Sequence, residues 1–193
     1  MAYLQEASFT PAEWIKRVSR PNVHIFICVA HPSTLPESLL GIENGDWVGM
    51  VTQIGPTPKD VYWLPEAGAE EPLADALETK WHQTATWIDP AHRGRGVAKQ
   101  TIEAGLQFAR ESIQGSVVQA RVRAFTGPQN GTSKSLYGGR GFPAVGLCTV
   151  EEAVKGNGNA EFGFHGSKVE DLPADLRGLR LGVIMERVVR KGG

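Results

Sequence analysis

The residues with the clearest chemical potential form a glycine-rich turn, Arg93-Gly94-Arg95-Gly96-Val97-Ala98. Trp87 and Ile88 before the turn favour a strand, and the residues after it repeat apolar side chains at helical spacing. The turn is therefore expected to end at a helix N-terminus, where backbone N–H groups lack partners and the helix dipole is positive. Such a place suits the phosphate groups of a ligand.

Two common phosphate-binding motifs fit this turn poorly. The turn lacks the Gly-Lys-Ser/Thr ending of a nucleoside triphosphate P-loop. Lys99 stands where a dinucleotide fingerprint has its third glycine. The spacing that does remain is Arg-x-x-Gly-x-Ala, from Arg93 to Ala98.

A second motif follows a predicted strand over residues 117–125. Asn130 begins a predicted helix, Ser133 is a small residue three positions on, and Leu136-Tyr137 and Gly141-Phe142 follow. Together the two motifs resemble the signatures of the GCN5-related N-acetyltransferases. The resemblance covers about residues 81–145, with weaker similarity at 47–52 and 179–189.

The resemblance implies that acetyl-CoA is the co-substrate and that no metal takes part. The amides of the turn are expected to hold the pyrophosphate, and the main chain before the turn to pair with the pantetheine arm. Asn130 is a helix N-cap by type and position, and in the family it also touches this arm. The implied cofactor-binding residues are Trp87, Ile88, Asp89, Arg93, Gly94, Arg95, Gly96, Val97, Ala98 and Asn130.

Two side chains are the candidate catalytic residues. The resemblance implies that Tyr137 protonates the leaving thiolate, although a packing role for its ring is the alternative. His82 has a side-chain pKa suited to removing a proton near neutral pH. Residues two apart in a strand share a face, so His82 is predicted to point the same way as Thr86. Glu78 is an alternative base, and a mechanism with no dedicated base stays open.

The implied function is transfer of an acetyl group from acetyl-CoA to a primary amine of a small molecule, by direct attack in a ternary complex. A non-catalytic acyl-CoA sensor or scaffold is the alternative from another class. A protein N-terminal or lysine acetyltransferase, a longer acyl chain and an oxygen nucleophile also stay open. The sequence does not name the acceptor.

The implied fold is α/β, with a mixed, mostly antiparallel twisted sheet and helices on both faces. The sheet is expected to be splayed between the strands at 84–89 and 117–125. Further strands are predicted at 24–30, 46–54 and 179–189, and Thr10-Pro11 is predicted to start a helix. Only residues 2–6 could supply an opening strand. The chain is expected to form one domain over 1–193, with insertions at about 56–80 and 151–178.

The first insertion is acidic. Residues 56–80 contain six acidic and two basic residues, a net charge of 2 − 6 = −4, in a chain whose total is −1. A long insertion between neighbouring strands is either a solvated loop or a functional lid. As a lid, it would favour a cationic acceptor without a strong anionic group.

Composition excludes several classes of partner. A net charge of −1 gives no attraction to nucleic acid or to an anionic membrane, and no apolar run approaches the roughly 20 residues of a membrane span. Two cysteines without metal-site spacing are expected to be free thiols. The protein is expected in the cytoplasm, and a homodimer is a possible assembly.

Overall fold

The computed structural model describes residues 10–157 and 179–191 of the chain. The described helices are α1 (Pro11–Val18), α2 (Lys59–Tyr62), α3 (Val97–Glu111), α4 (Gly131–Gly138) and α5 (Val150–Gly156). The described strands are β1 (Val23–Ala30), β2 (Asp46–Ile54), β3 (Glu78–Ile88), β4 (Gln119–Thr126), β5 (Ala144–Cys148) and β6 (Gly182–Arg190). The predicted strand at 2–6 and most of the second insertion lie outside the described residues.

The strands form one sheet in the order β1-β2-β3-β4-β6-β5. Every neighbouring pair is antiparallel except β3 and β4, which are parallel. β3 pairs with β4 only from Glu78 to His82, and both strands then continue without pairing to each other. The predicted mixed sheet, splayed at these two strands, is confirmed.

A β-bulge lies in the half of β3 that pairs with β2 but no longer with β4. Thr84 and Trp87 lie opposite Thr52 and Met50, so β3 has one more residue than β2 in this interval. Ala85 within it has a φ of 51°, which is uncommon for a residue other than glycine. The extra residue breaks the two-residue alternation of side chains along the strand.

One face of the sheet packs against α3 and α4. Ile102 and Leu106 of α3 are completely buried against Trp81 and Val122, in a cluster that also contains Tyr137. Burying each of these aliphatic side chains contributes about 1.5–3 kcal/mol. This packing fixes the start of α3 next to the end of β3, and the predicted apolar stripe of the helix is confirmed.

The other face is covered by the first insertion and α5. Ala67 of the insertion packs with Cys148, Ala153 and Ile184. Tyr62 of α2 is fully buried. Helices therefore cover both faces, as predicted, and the interpretation of residues 56–80 as a solvated loop does not fit this packing.

Candidate active site

The glycine-rich turn joins the open end of β3 to α3. Gly94 and Gly96 have φ values of 76° and 84°, a region that side chains with a Cβ disfavour. Among the hydrogen bonds of the described residues, none uses the backbone N–H groups of residues 94–98. These groups, at the N-terminus of a 15-residue helix, can receive a pyrophosphate.

The side chains of the turn contribute little to this cradle. Arg93 folds back, and its Nε donates to the carbonyl oxygen of Ile88 over 3.2 Å. Asp89 accepts a 2.8 Å hydrogen bond from the N–H of Ala91. Both contacts stabilise the shape of the turn, which leaves its amides as the ligand-binding groups.

The last residues of β3 present a free edge. Trp87 and Ile88 pair with Met50 and Gly49 of β2 on one side, and no described strand pairs with them on the other. An extended chain carrying amide groups can add to such an edge. The pantetheine arm of CoA is a chain of this kind, and it would run directly from the turn.

Tyr137 reaches β3 from the α4 side of the sheet. α4 begins at an N-cap formed by Asn130, whose side chain accepts a 3.0 Å hydrogen bond from the N–H of Ser133. The Tyr137 hydroxyl lies 2.9 Å from Oγ1 of Thr86, in the half of β3 that does not pair with β4. Its ring packs edge-on against Phe142 with ring centres 5.2 Å apart.

Burial raises the pKa of Tyr137 to about 12, and the hydrogen bond to Thr86 opposes this shift. The hydroxyl therefore keeps its proton throughout the neutral range. It can donate a hydrogen bond to a departing sulfur, whereas it cannot serve as a base near pH 7.

His82 is the last residue of β3 that pairs with β4, and its side chain lies on the opposite face of the sheet from Tyr137. It is fully buried, and its ring lies 4.9 Å from the ring of Tyr62 and 5.6 Å from that of Phe125. Burial, and secondarily the charge of Arg123, holds its pKa well below 6.5. His82 is thus neutral at pH 7, but it is a weaker base than an exposed histidine.

The prediction that His82 and Thr86 share a face is wrong. Thr86 contacts Tyr137, which belongs to the same cluster as Trp81, the neighbour of His82 on the other face. The bulge at Ala85 causes the difference because it adds one residue between them. The strand pattern alone gives no signal of this bulge.

Glu78, the alternative base, is a buried structural group. Its carboxylate accepts hydrogen bonds from Gln119 and Arg121 at 2.7 and 3.0 Å, and from the N–H of Leu73 at 2.7 Å. All three donors hold it at the closed end of the β3–β4 pair, away from the splayed half.

The acidic residues of the insertion are largely paired with cations. The pairs and their distances are Glu66–Arg180 at 2.8 Å, Glu70–Arg121 at 3.6 Å, Glu71–Lys59 at 2.6 Å and Asp75–Lys80 at 2.8 Å. Two of these cations, Lys59 and Lys80, belong to the segment and are already counted in its net charge of −4, so the outside cations Arg180 and Arg121 reduce the charge to −4 + 2 = −2. The acidic wall that selects a cationic acceptor stays a prediction.

No metal centre accompanies these residues. Within residues 10–157 and 179–191, no three His, Cys, Asp or Glu side chains are grouped to hold a metal ion. Cys28 and Cys148 are free thiols. Every described helix is too short or too polar to cross a membrane.

Comparison with protein-family models identifies the family of the chain. A family model described as the acetyltransferase (GNAT) family matches residues 9–142, well over half of the chain. The chain therefore belongs to this family. It is an acyltransferase that uses acetyl-CoA as its co-substrate.

Two solved structures with a TM-score above 0.5 share the fold at low sequence identity. NAA60 of Arabidopsis thaliana in complex with a bisubstrate analogue has a TM-score of 0.54 at 12% identity, with 98% of this chain and 91% of that chain covered. The same plant protein in complex with acetyl-CoA has a TM-score of 0.54 at 13% identity, with 97% and 90% covered. Ribosomal-protein-alanine N-acetyltransferase from Brucella melitensis has a TM-score of 0.48 at 17% identity, with 92% and 76% covered. A search of curated protein sequences found no significant match.

Proposed function

We propose that this acetyltransferase acts on the primary amine of a small molecule, by direct attack in a ternary complex. The amine nitrogen forms a bond to the acetyl carbon, the carbon–sulfur bond breaks, the nitrogen loses one proton and the sulfur gains one. The observation that carries the proposal is the meeting of three features at the splayed half of β3: free turn amides, a free strand edge and the Tyr137 hydroxyl.

Acetyl-CoA would bind along the α3 side of the splay. The free amides of residues 94–98 would take the pyrophosphate, and the pantetheine arm would run along the open strand edge at Trp87, Ile88 and Asp89. The side-chain amide nitrogen of Asn130 is free to donate because the N-cap hydrogen bond uses only its oxygen. This arrangement leaves the thioester close to Thr86 and Tyr137.

Tyr137 would donate a hydrogen bond to the sulfur as negative charge develops on it, and the CoA thiolate would take its proton from solvent water after it leaves. His82 would accept the proton of the attacking amine, directly or through water, since its neutral ring has one nitrogen free to accept. The lowered pKa of His82 keeps it unprotonated but limits its strength. Its contribution is therefore expected to be smaller than that of a base with a pKa near 7.

A small acceptor is favoured over a polypeptide because the insertion covers the face on which His82 lies. Tyr62 of the insertion contacts the imidazole, and Arg180 joins Glu66 of the insertion to Glu152 of α5. A protein N-terminus or lysine would need these covering elements to move aside. Free thiols at Cys28 and Cys148 support our further proposal that the enzyme works in the cytoplasm.

A panel of amines assayed for CoA release tests the proposal. Small-molecule amines are expected to support turnover at lower concentrations than peptides ending in a free N-terminus or carrying lysine. Preferred turnover of the peptides would overturn the small-molecule assignment. Acetyl-CoA alone is expected to raise the melting temperature, because only the folded turn binds it.

A further inference from the structure

Thr126 carries a buried hydroxyl group in the part of β4 that no longer pairs with β3. Its side chain is 7% exposed, and its Oγ1 is shielded from solvent and has no hydrogen-bond partner among the described residues. The pairing of β3 with β4 ends at His82 and Arg123, three residues before Thr126. The hydroxyl therefore lies in the splayed half of the sheet, beyond the last paired residues.

The neighbours of Thr126 place its side chain on the same face of the sheet as Tyr137. In the antiparallel β4–β6 pair, Thr126 lies opposite Val183, and opposed residues of such a pair share a face. Val183 packs against the cluster that contains Tyr137. The same cluster contains Ala124, which shares a face with Thr126 because the two residues are two positions apart in one strand. Both relations direct the Thr126 side chain towards the Tyr137 side.

The bulge in β3 brings Thr86 level with Thr126. Thr86 is the fourth residue after His82, but one residue between them is the extra residue of the bulge, so Thr86 occupies the third regular position. Thr126 is the third residue after Arg123, which is the register partner of His82. Two threonine side chains therefore face the Tyr137 side from the two arms of the splay. Paired strands lie about 4.8 Å apart, and the loss of pairing here leaves a wider opening between the arms.

The two threonine hydroxyls differ in their partners. Oγ1 of Thr86 lies 2.9 Å from the hydroxyl of Tyr137, whereas Oγ1 of Thr126 has no partner in the described part of the chain. Buried polar groups are nearly always hydrogen-bonded, and an exception calls for an internal water or a ligand. Tyr137 is 5% exposed, so a thioester that reaches its hydroxyl also passes at the level of Thr126. A Cβ added to Gly127 would meet no atom within 4 Å, so open space begins one residue beyond Thr126.

We propose that Thr126 is a further catalytic residue of the acetyl transfer, and that its hydroxyl donates a hydrogen bond to the carbonyl oxygen of the acetyl thioester. Tyr137 faces the sulfur in the proposed function, so a hydroxyl from the other arm meets the other polar atom of the thioester. When the amine nitrogen attacks the acetyl carbon, an electron pair of the carbonyl bond moves to this oxygen. The pair returns as the carbon–sulfur bond breaks, and the proton of Thr126 stays on its hydroxyl throughout. The inference rests on the proposed function, since both place the thioester beside Thr86 and Tyr137.

Thr126→Val tests the role of the hydroxyl. Valine keeps the branched shape and removes only the hydroxyl, so the fold is expected to be retained. The single-turnover rate is expected to fall by about 100- to 1,000-fold, the loss for one donor to a developing oxyanion, with the Kd for acetyl-CoA within about threefold of wild type. Thr126→Ser keeps a hydroxyl and is expected to retain the rate to within about tenfold. Thr132→Val is the matched control on the exposed side of α4, and it is expected to change neither quantity.

Infrared spectroscopy of bound acetyl-CoA gives a readout that a purely structural role of Thr126 would not change. The acetyl carbonyl is isotopically labelled and no acceptor is present, so the thioester stays intact. A hydrogen bond to the carbonyl oxygen lowers its stretching frequency. The thioester bound to wild type and to Thr126→Ser is therefore expected to absorb at a lower frequency than the thioester bound to Thr126→Val. Thr126→Ala is a second variant without the hydroxyl, and its spectrum is expected to match that of Thr126→Val.

The spectrum separates this inference from the proposed function because it needs no acceptor. A carbonyl band that shifts in Thr126→Val supports the contact even where no small-molecule amine is acetylated, an outcome that would overturn the proposed function alone. A lower rate without a shift of the band would mean that Thr126 acts only through the local structure. A weaker affinity for acetyl-CoA with an unchanged single-turnover rate would mean that Thr126 only binds the co-substrate. Either result, or equal rates and spectra in Thr126→Val and wild type, overturns the inference.

Discussion

Tyr137→Phe is the most informative single substitution in the proposed mechanism. It removes the hydroxyl that lies 2.9 Å from Thr86 and keeps the ring that packs on Phe142. The cost in folding free energy is that of one buried hydrogen bond, about 0.5–1.5 kcal/mol. The variant is therefore expected to fold and to bind acetyl-CoA normally.

The effect on turnover follows from the pKa of the hydroxyl. Tyr137 has a pKa of about 12. A thiol has a pKa near 8.5, so complete proton transfer to a free thiolate would be unfavourable by about 3.5 units, or roughly 4.8 kcal/mol. Tyr137 is therefore expected to act by hydrogen bonding to the sulfur, and a hydrogen bond to a charged group contributes about 1.5–3 kcal/mol. The expected loss is about 10- to 150-fold.

The assay is single-turnover acetyl transfer with a saturating acceptor, which reports the chemical step rather than product release. Thr86→Val is the matched control, because it leaves the Tyr137 hydroxyl in place but removes its partner. Its loss is expected to be smaller than that of Tyr137→Phe. The wild-type rate should show no decline from deprotonation of Tyr137 below about pH 11, one unit under its pKa of about 12. A folded Tyr137→Phe enzyme with unchanged single-turnover rates would refute the reasoning.

Three further predictions concern the turn, the buried histidine and the covering elements. Gly96→Val is expected to fold, at a cost of about 1–2 kcal/mol for its left-handed backbone, and to lose the melting-temperature rise with acetyl-CoA. Arg95→Ala is expected to weaken CoA binding only modestly, and equal losses of CoA binding in the two variants would contradict binding by the main-chain amides. The pKa of His82 is lowered in the folded state, so the unfolded state binds more protons below pH 6.5. The free energy of unfolding is therefore expected to fall by up to about 1.4 kcal/mol per pH unit on acidification. In urea titrations, His82→Gln should show a weaker pH dependence of this free energy than wild type. Arg180→Ala removes a two-pronged pair with Glu152 and is expected to lower the melting temperature in low salt, and to lower it less at 1 M salt. An unchanged melting temperature would mean that this contact does not hold the covering elements.

The sequence predicts the turn because local signals specify it, whereas the mixed, splayed sheet was predicted from the family resemblance. Gly94 and Gly96 adopt the positive φ values that their residue type permits, and Asn130 caps α4 as its type and position predict. Tyr137 faces β3 because it follows Asn130 by seven residues on a short helix. Each of these features depends on residues close together along the chain.

Other features of the site depend on distant parts of the chain. The burial of His82 comes from Tyr62 and Gly156, and no local pattern indicates that either covers it. Ala85 has no residue-type signal for its positive φ, so the bulge could not be read from the strand. The charge count of the insertion was correct, but its meaning depended on cations such as Arg180, far along the sequence.

The bulge at Ala85 has a direct consequence for the proposed chemistry. It turns Thr86 toward Tyr137 on the α3 and α4 side, while His82 stays under Tyr62 on the opposite side. In direct transfer, the amine must approach the acetyl carbon from a different direction than the one in which the sulfur departs. A regular strand would place positions 82 and 86 on one face, and the acid and the amine-binding residue would then compete for the same space. One extra residue in β3 separates them across the sheet, which is compatible with the direct attack in a ternary complex that we propose.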